Sequence, residues 1–201
     1  NVFLANLSFT PQSLLGSYDT LGASTLSLAC YIVDNSNDSM NSIKHTYFPE
    51  LELSQALKGE KIYTFVDNGM YKYEQSMKGL IELLDINIIV LADGGCDSLN
   101  SLEPRLASPV EDNMSMMVIH KLAAEKNLKT YLLLLGATVD TFVEMNRVDF
   151  IENISQLEKD GAIYETIKLS LNKDDINCSY VEKYVDTFKA CSPWNSKVNS
   201  S

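Results

Sequence analysis

The sequence is poor in the residues that would tie a 201-residue chain to a disulfide-stapled, metal-stapled or nucleic-acid-binding class. Its four cysteines, Cys30, Cys96, Cys178 and Cys191, form no CxxC pair and are too sparse for a disulfide framework. They read as reduced thiols of a cytoplasmic protein. The only histidines, His45 and His120, give neither an HExxH nor a cysteine–histidine metal spacing. No serine or cysteine occupies a nucleophile elbow. Basic residues are few: 16 against 27 acidic ones, for a formal net charge of -11. There is no basic stripe to neutralise phosphates and no polybasic anchor, which argues against nucleic acid and against a membrane surface as partners. The longest uncharged apolar runs, near 86–92 and 131–139, fall far short of the roughly 18 residues that cross a bilayer.

What is present is ordinary for a globular protein, 45% hydrophobic and 21% charged, so a packed core needs no staple. There is no repeat, low-complexity tract or internal boundary, and the expectation is one α/β domain over 1–201. Residues 2–7 (VFLANL) read as a strand. Residues 24–33 carry Leu26, Leu28, Cys30 and Ile32 at period two, the mark of a second strand. The polar stretch 34–42 reads as a loop. Pro49 opens a short helix with Glu50 and Glu52 in its first turn, where the helix dipole favours them, and Gly59 stops it.

From there strands and helices alternate. Residues 61–66 (KIYTFV), 86–92 (INIIVLA) and 129–135 (KTYLLLL) read as strands. Residues 70–84, 109–126, 142–159 and 177–190 read as helices, the last with Tyr180, Tyr184 and Phe188 on one face. Apolar strands joined through helices predict the three strands side by side and parallel in a sheet covered on two faces. The helix at 109–126 carries Met114, Met116, Met117, Val118, Ile119, Leu122 and Ala123 and is expected to be buried nearly all round, its methionines acting as core filler and His120 as a partly buried, hydrogen-bonded residue.

In such a sheet, ligands bind beyond the carboxyl ends of the strands. Asp67-Asn68-Gly69, Asp93-Gly94-Gly95-Cys96-Asp97-Ser98 and Gly136-Ala137-Thr138-Val139-Asp140 all follow strands. Asp67 reads as a turn former. In DGGCDS the paired glycines let backbone N–H groups form an anion nest. Asp93 and Asp97 have the chemistry to hold a divalent cation. Ser108-Pro109-Val110-Glu111 reads as a capping box, with Ser108 as cap and Glu111 reaching back to it. Asp112 and Ser115 then lie near the helix start, where anions are favoured.

Two resemblances attach to these residues. DGGCDS resembles the SGGxDS phosphate loop of ATP pyrophosphatases, with Asp93 in place of the serine. More extensively, LADGGCDSL, then Glu103, then Ser108–Asp112 with Met114-Ser115, together with YFPELELSQAL, LLLLGATVD, FIENISQLEKDGAIY and SKVNSS, resemble domain-of-unknown-function family 1152 over nearly the whole chain. Ser108 stands where that family usually has threonine. The resemblance implies a Rossmann-like α/β fold, a three-layer sandwich with a mainly parallel central sheet, and no particular reaction. It also implies that the chain is incomplete at both ends, lacking a glycine-rich strand–turn segment ahead of NVFLANLSF and further sequence after SKVNSS.

Two functional readings stay open. In the first, Asp93, Asp97 and Asp112 form a catalytic or magnesium-binding set. Gly94, Gly95, Ser98, Ser115 and Asp140 then line a site for a small-molecule or nucleotide-type ligand, in a metal-assisted hydrolase or transferase. A variant of it uses DGGCDS as a pyrophosphatase-type phosphate loop. In the second, the acidic motifs cap helices and turns in a non-catalytic structural or interaction domain. Converging carboxylates favour the first; carboxylates occupied by backbone N–H groups favour the second.

Overall fold

The structure, a computed structural model, describes residues 1–8, 24–27, 30–33, 49–67, 69–99, 109–138, 146–170, 172–175 and 178–191. The protein is mixed α/β and groups into two compact units, one built from Asn1–Leu84 and Lys168–Val198, the other centred on Asp85–Ile167.

The first unit is organised around β4 (Ile62–Val66), whose five residues are all buried. The run IYTFV has the β-branched and aromatic content that suits a pleated interior strand. On one edge β4 pairs in parallel with β1 (Leu4–Ser8), Leu4 opposite Ile62 and Ser8 opposite Val66. On the other it pairs antiparallel with β3 (Cys30–Val33), Cys30 opposite Phe65. β3 in turn pairs antiparallel with β2 (Ser24–Ser27), giving the order β1-β4-β3-β2. The period-two stretch at 24–33 is therefore two strands running in opposite directions, not one. With β1 and β3 filling both of its edges, β4 cannot also pair with the strands that follow it. The expected single parallel sheet of three strands is replaced by two separate sheets.

Helix α1 (Pro49–Ala56) begins on its proline and closes where Lys58 and Gly59 turn left-handed, at φ 61° and 89°. The Gly59 N–H then returns to the Ser54 carbonyl at 2.8 Å. Glu50, in the first turn as expected, is buried, and its Oε1 accepts a hydrogen bond from Asn6 Nδ2 at 2.6 Å. Helix α2 (Met70–Leu84) buries Tyr73, Ser76, Met77, Leu80 and Ile81, the three-and-four spacing of a single core stripe. Tyr73 meets Phe65 edge to face, ring centroids 5.2 Å apart.

The second unit holds β5 (Ile88–Asp93) and β6 (Lys129–Leu134), a parallel pair in register from Ile88 opposite Lys129 to Asp93 opposite Leu134. Helix α3 (Pro109–Lys126) makes the crossover that parallel neighbours need. It spans the predicted residues but buries one face, through Val118, Ile119 and Leu122. Met117 is 58% exposed and His120 is exposed, so the expectation of an all-round buried helix with a partly buried histidine is corrected. The reason is compositional: Asp112, Asn113, Ser115, His120 and Lys121 fill the turns between the apolar positions. The strands differ from expectation in the same sense. Ile88 and Val90 are half exposed and alternate with less accessible Ile89 and Leu91, so β5 is covered on one face rather than two.

Helix α4 (Arg147–Lys159) starts on Asn146, whose side chain caps the Val148 N–H at 2.9 Å, and it ends before Gly161 at φ 66°. Residues 139–145 lie outside the described residues, as do the loop at 34–42, His45, Glu103, Ser108 and the chain after 191. Helix α5 (Cys178–Cys191) belongs to the first unit. Cys30, Cys96 and Cys178 are free, buried thiols. Burial pushes the Cys30 thiol up to about 12, and burial followed by the Glu182 carboxylate raises that of Cys178. Among the described residues no helix is long and apolar enough to cross a membrane.

Candidate functional site

The site the sequence points to forms where β5 ends. Asp93 is the last residue of the strand, and its backbone carbonyl accepts the Leu135 N–H at 2.8 Å, continuing the ladder beyond β6. Its side chain is buried and turns into the loop that follows. Oδ1 accepts the Gly95 N–H at 2.8 Å. Oδ2 accepts the Ser98 hydroxyl at 2.5 Å and, at 3.4 Å, the Ser98 N–H. A carboxylate lacking these donors would carry a large desolvation cost at this depth; charge-assisted hydrogen bonds offset it. The DGGCDS segment is thus wound around its own first side chain.

The rest of the loop follows from that winding. Residues Asp97–Leu99 make one turn of 3₁₀ helix, with the Leu99 N–H on the Cys96 carbonyl at 3.1 Å. Cys96 is fully buried and Gly95 is buried too, so this thiol is packed, not presented as a nucleophile. Asn153 of α4 anchors the end of the turn by donating to the Leu99 carbonyl at 3.1 Å. Gly94 is the exception. It is exposed, and a Cβ built on it would meet nothing within 4 Å among the described residues. Open space therefore adjoins the backbone at the mouth of a parallel strand.

The structure brings Asp93, Gly94, Gly95 and Ser98 together. The 3₁₀ turn lies beside α3, whose half-buried Asp112 and Ser115 both take part in interactions of their own. The side chain of Asp97, that of Glu111, and Asp140 lie outside the described residues. Among the described residues no three His, Cys, Asp or Glu side chains are grouped so as to hold a metal ion. The Asp67 turn belongs to β4 and therefore to the other sheet; its Oδ1 accepts the Gly69 N–H at 3.2 Å, as a turn former does. Elsewhere in the second unit, His120 lines a shallow cavity of about 160 Å³ with Leu91, Met116, Ile119, Tyr131 and Leu132, a hollow between α3 and the strands β5 and β6 that the sequence did not indicate.

Set beside known proteins, residues 17–189 match the family model described as protein of unknown function (DUF1152), and the chain belongs to that family. No curated protein and no solved structure matches it.

Proposed function

We propose that this family member binds a small molecule of nucleotide type against the loop 94–98, with Asp93 as the residue that shapes the loop and not as a metal ligand. The observation that carries the proposal is the contrast within DGGCDS. Asp93, Gly95 and Ser98 are buried and bonded to one another, while Gly94 between them stays open to solvent. A backbone fixed from inside and bare outside suits close approach by a ligand. The reading takes with it a Rossmann-like strand–helix–strand arrangement in the second unit, supported by the parallel pair of β5 and β6 and the α3 crossover. It also takes a cytoplasmic location, supported by three free thiols.

A magnesium-like cation does not fit Asp93 well. Both of its oxygens already receive donors from its own loop, and a cation would have to displace or share them. Metal-assisted hydrolysis or transfer through Asp93 is accordingly not part of the proposal. The same hydrogen bonds favour the second reading, a structural domain whose acidic motifs organise turns, and one experiment separates the two. Thermal unfolding of the full chain is followed with a panel of nucleoside mono-, di- and triphosphates, for wild type and Gly94→Leu. A Cβ at position 94 meets nothing within 4 Å among the described residues, so the variant should fold normally and lose any nucleotide-dependent stabilisation. No shift with any nucleotide in the wild type leaves the structural reading standing.

A further inference from the structure

A second group of polar side chains lies in the first unit, away from the DGGCDS loop. Thr64 is the only polar residue of β4, fully buried, and its Oγ1 has no hydrogen-bond partner among the described residues. Asn6 stands opposite Thr64 in the parallel register of β1 and β4, so their side chains share one face of the sheet. Glu50, from the first turn of α1, reaches that face and takes the Asn6 amide on Oε1. Its other oxygen, Oε2, is buried without a partner as well. Two buried oxygens, orphaned among the described residues, thus belong to residues tied to Asn6, Glu50 by its hydrogen bond and Thr64 by register. Asn6 itself is exposed, on a strand that among the described residues has a neighbour on one edge, which leaves the group reachable from solvent.

The chemistry of the group is one-sided. Glu50 Oε2 only accepts, the Asn6 carbonyl oxygen only accepts once its amide faces Glu50, and Thr64 Oγ1 can accept. Buried charges are paired in folded proteins, yet among the described residues the partner of Glu50 is a neutral amide. One negative charge among three acceptors calls for one positive charge with several donors. We infer that Asn6, Glu50 and Thr64 form a recognition site for the primary ammonium group of a small-molecule ligand. A divalent metal ion is the poorer match, because a single carboxylate leaves its second charge uncompensated. The site is independent of the loop at Asp93 and does not rest on the reading of that loop.

The test uses the full chain and methylammonium chloride as probe. Tetramethylammonium, sodium and magnesium chloride at equal ionic strength serve as controls. Methylammonium should raise the melting temperature saturably, and tetramethylammonium, which has no N–H, should not. Glu50→Gln, which keeps the shape and the bond from Asn6, should weaken the apparent affinity by about tenfold or more, the scale of a charge-assisted hydrogen bond. Thr64→Val, which removes only the hydroxyl, should weaken it less. The inference is overturned by the absence of a saturable methylammonium effect, by an equal effect in Glu50→Gln, or by a response to sodium or magnesium in its place. A methylammonium-soaked crystal with only a water between Glu50 and Thr64 would overturn it too.

Discussion

Ser98 and Asp93 close a ring: the hydroxyl of one donates to the carboxylate of the other across five positions of chain, and the Gly95 N–H completes the hold. The end of β5 and the 3₁₀ turn are therefore a single latched element. Asp93→Ala should lower stability by about 2–3 kcal/mol, since it strands a buried N–H and a buried hydroxyl that had an anionic acceptor. Ser98→Ala should cost about 1–2 kcal/mol on the same scale. Urea unfolding in chelator-treated buffer measures both. An Asp93 variant as stable as wild type there would return this carboxylate to the pool of cation ligands.

Helix α4 offers a simpler test of local chemistry. Asn146→Ala removes the acceptor for the Val148 N–H and should cost about 1 kcal/mol, the usual worth of an N-cap. Asn146→Asp should retain most of that stability. A loss shared equally by both variants would mean that Asn146 contributes something other than its cap.

The one-sided burial of α3 makes a paired prediction. Leu122 is fully buried, and Leu122→Ala should cost about 2–5 kcal/mol through lost contacts and a residual cavity. Met117 sits on the open side, and Met117→Ala should stay within about 0.5 kcal/mol. Equal losses at the two positions would restore the all-round buried helix that its methionines led us to expect.

Cys30 predicts an alkaline limit. Its thiol is held up to about 12 in the fold against an ordinary 9.0. Below pH 9.0 it is protonated in both states and its contribution is fully present. As pH rises from there, the unfolded chain ionises first, and the contribution is lost progressively towards the folded value. Unfolding midpoints between about pH 8 and about pH 10.5 should fall less steeply in Cys30→Ala than in wild type. Native protein should also resist alkylation at Cys30, read by mass spectrometry of its peptide. Rapid native labelling would mean the residue is not packed as described.

How much of this was readable beforehand depends on range along the chain. The bounds of α3 follow from Pro109 at one end and the Lys126-Asn127 exit at the other, with Asn127 at φ 55°, all local signals. Strands β4, β5 and β6 follow from their apolar runs. Their partners do not, because pairing is decided by segments far apart in sequence. Nothing near residue 65 states that Phe65 lies opposite Cys30 in an antiparallel neighbour. The DGGCDS loop was visible as turn formers after a strand, but the direction of the Asp93 carboxylate, inward to Gly95 and Ser98, was not. Glu50 shows the limit most clearly. A glutamate in a first helical turn reads as a dipole partner, and only Asn6, brought up by β1, makes it a buried acceptor.

The pairing of β1 with β4 also sets an order of events in time. Leu4 finds Ile62 only after the whole intervening stretch has been made, whereas β3 and β2 are near neighbours along the chain. Contacts between distant segments carry the larger loop-closure cost and form late. During synthesis β1 emerges long before its template exists, with the backbone donors and acceptors of Leu4–Ser8 still unpaired. The backbone of β1 should therefore gain amide-exchange protection only once residues up to 66 are in place.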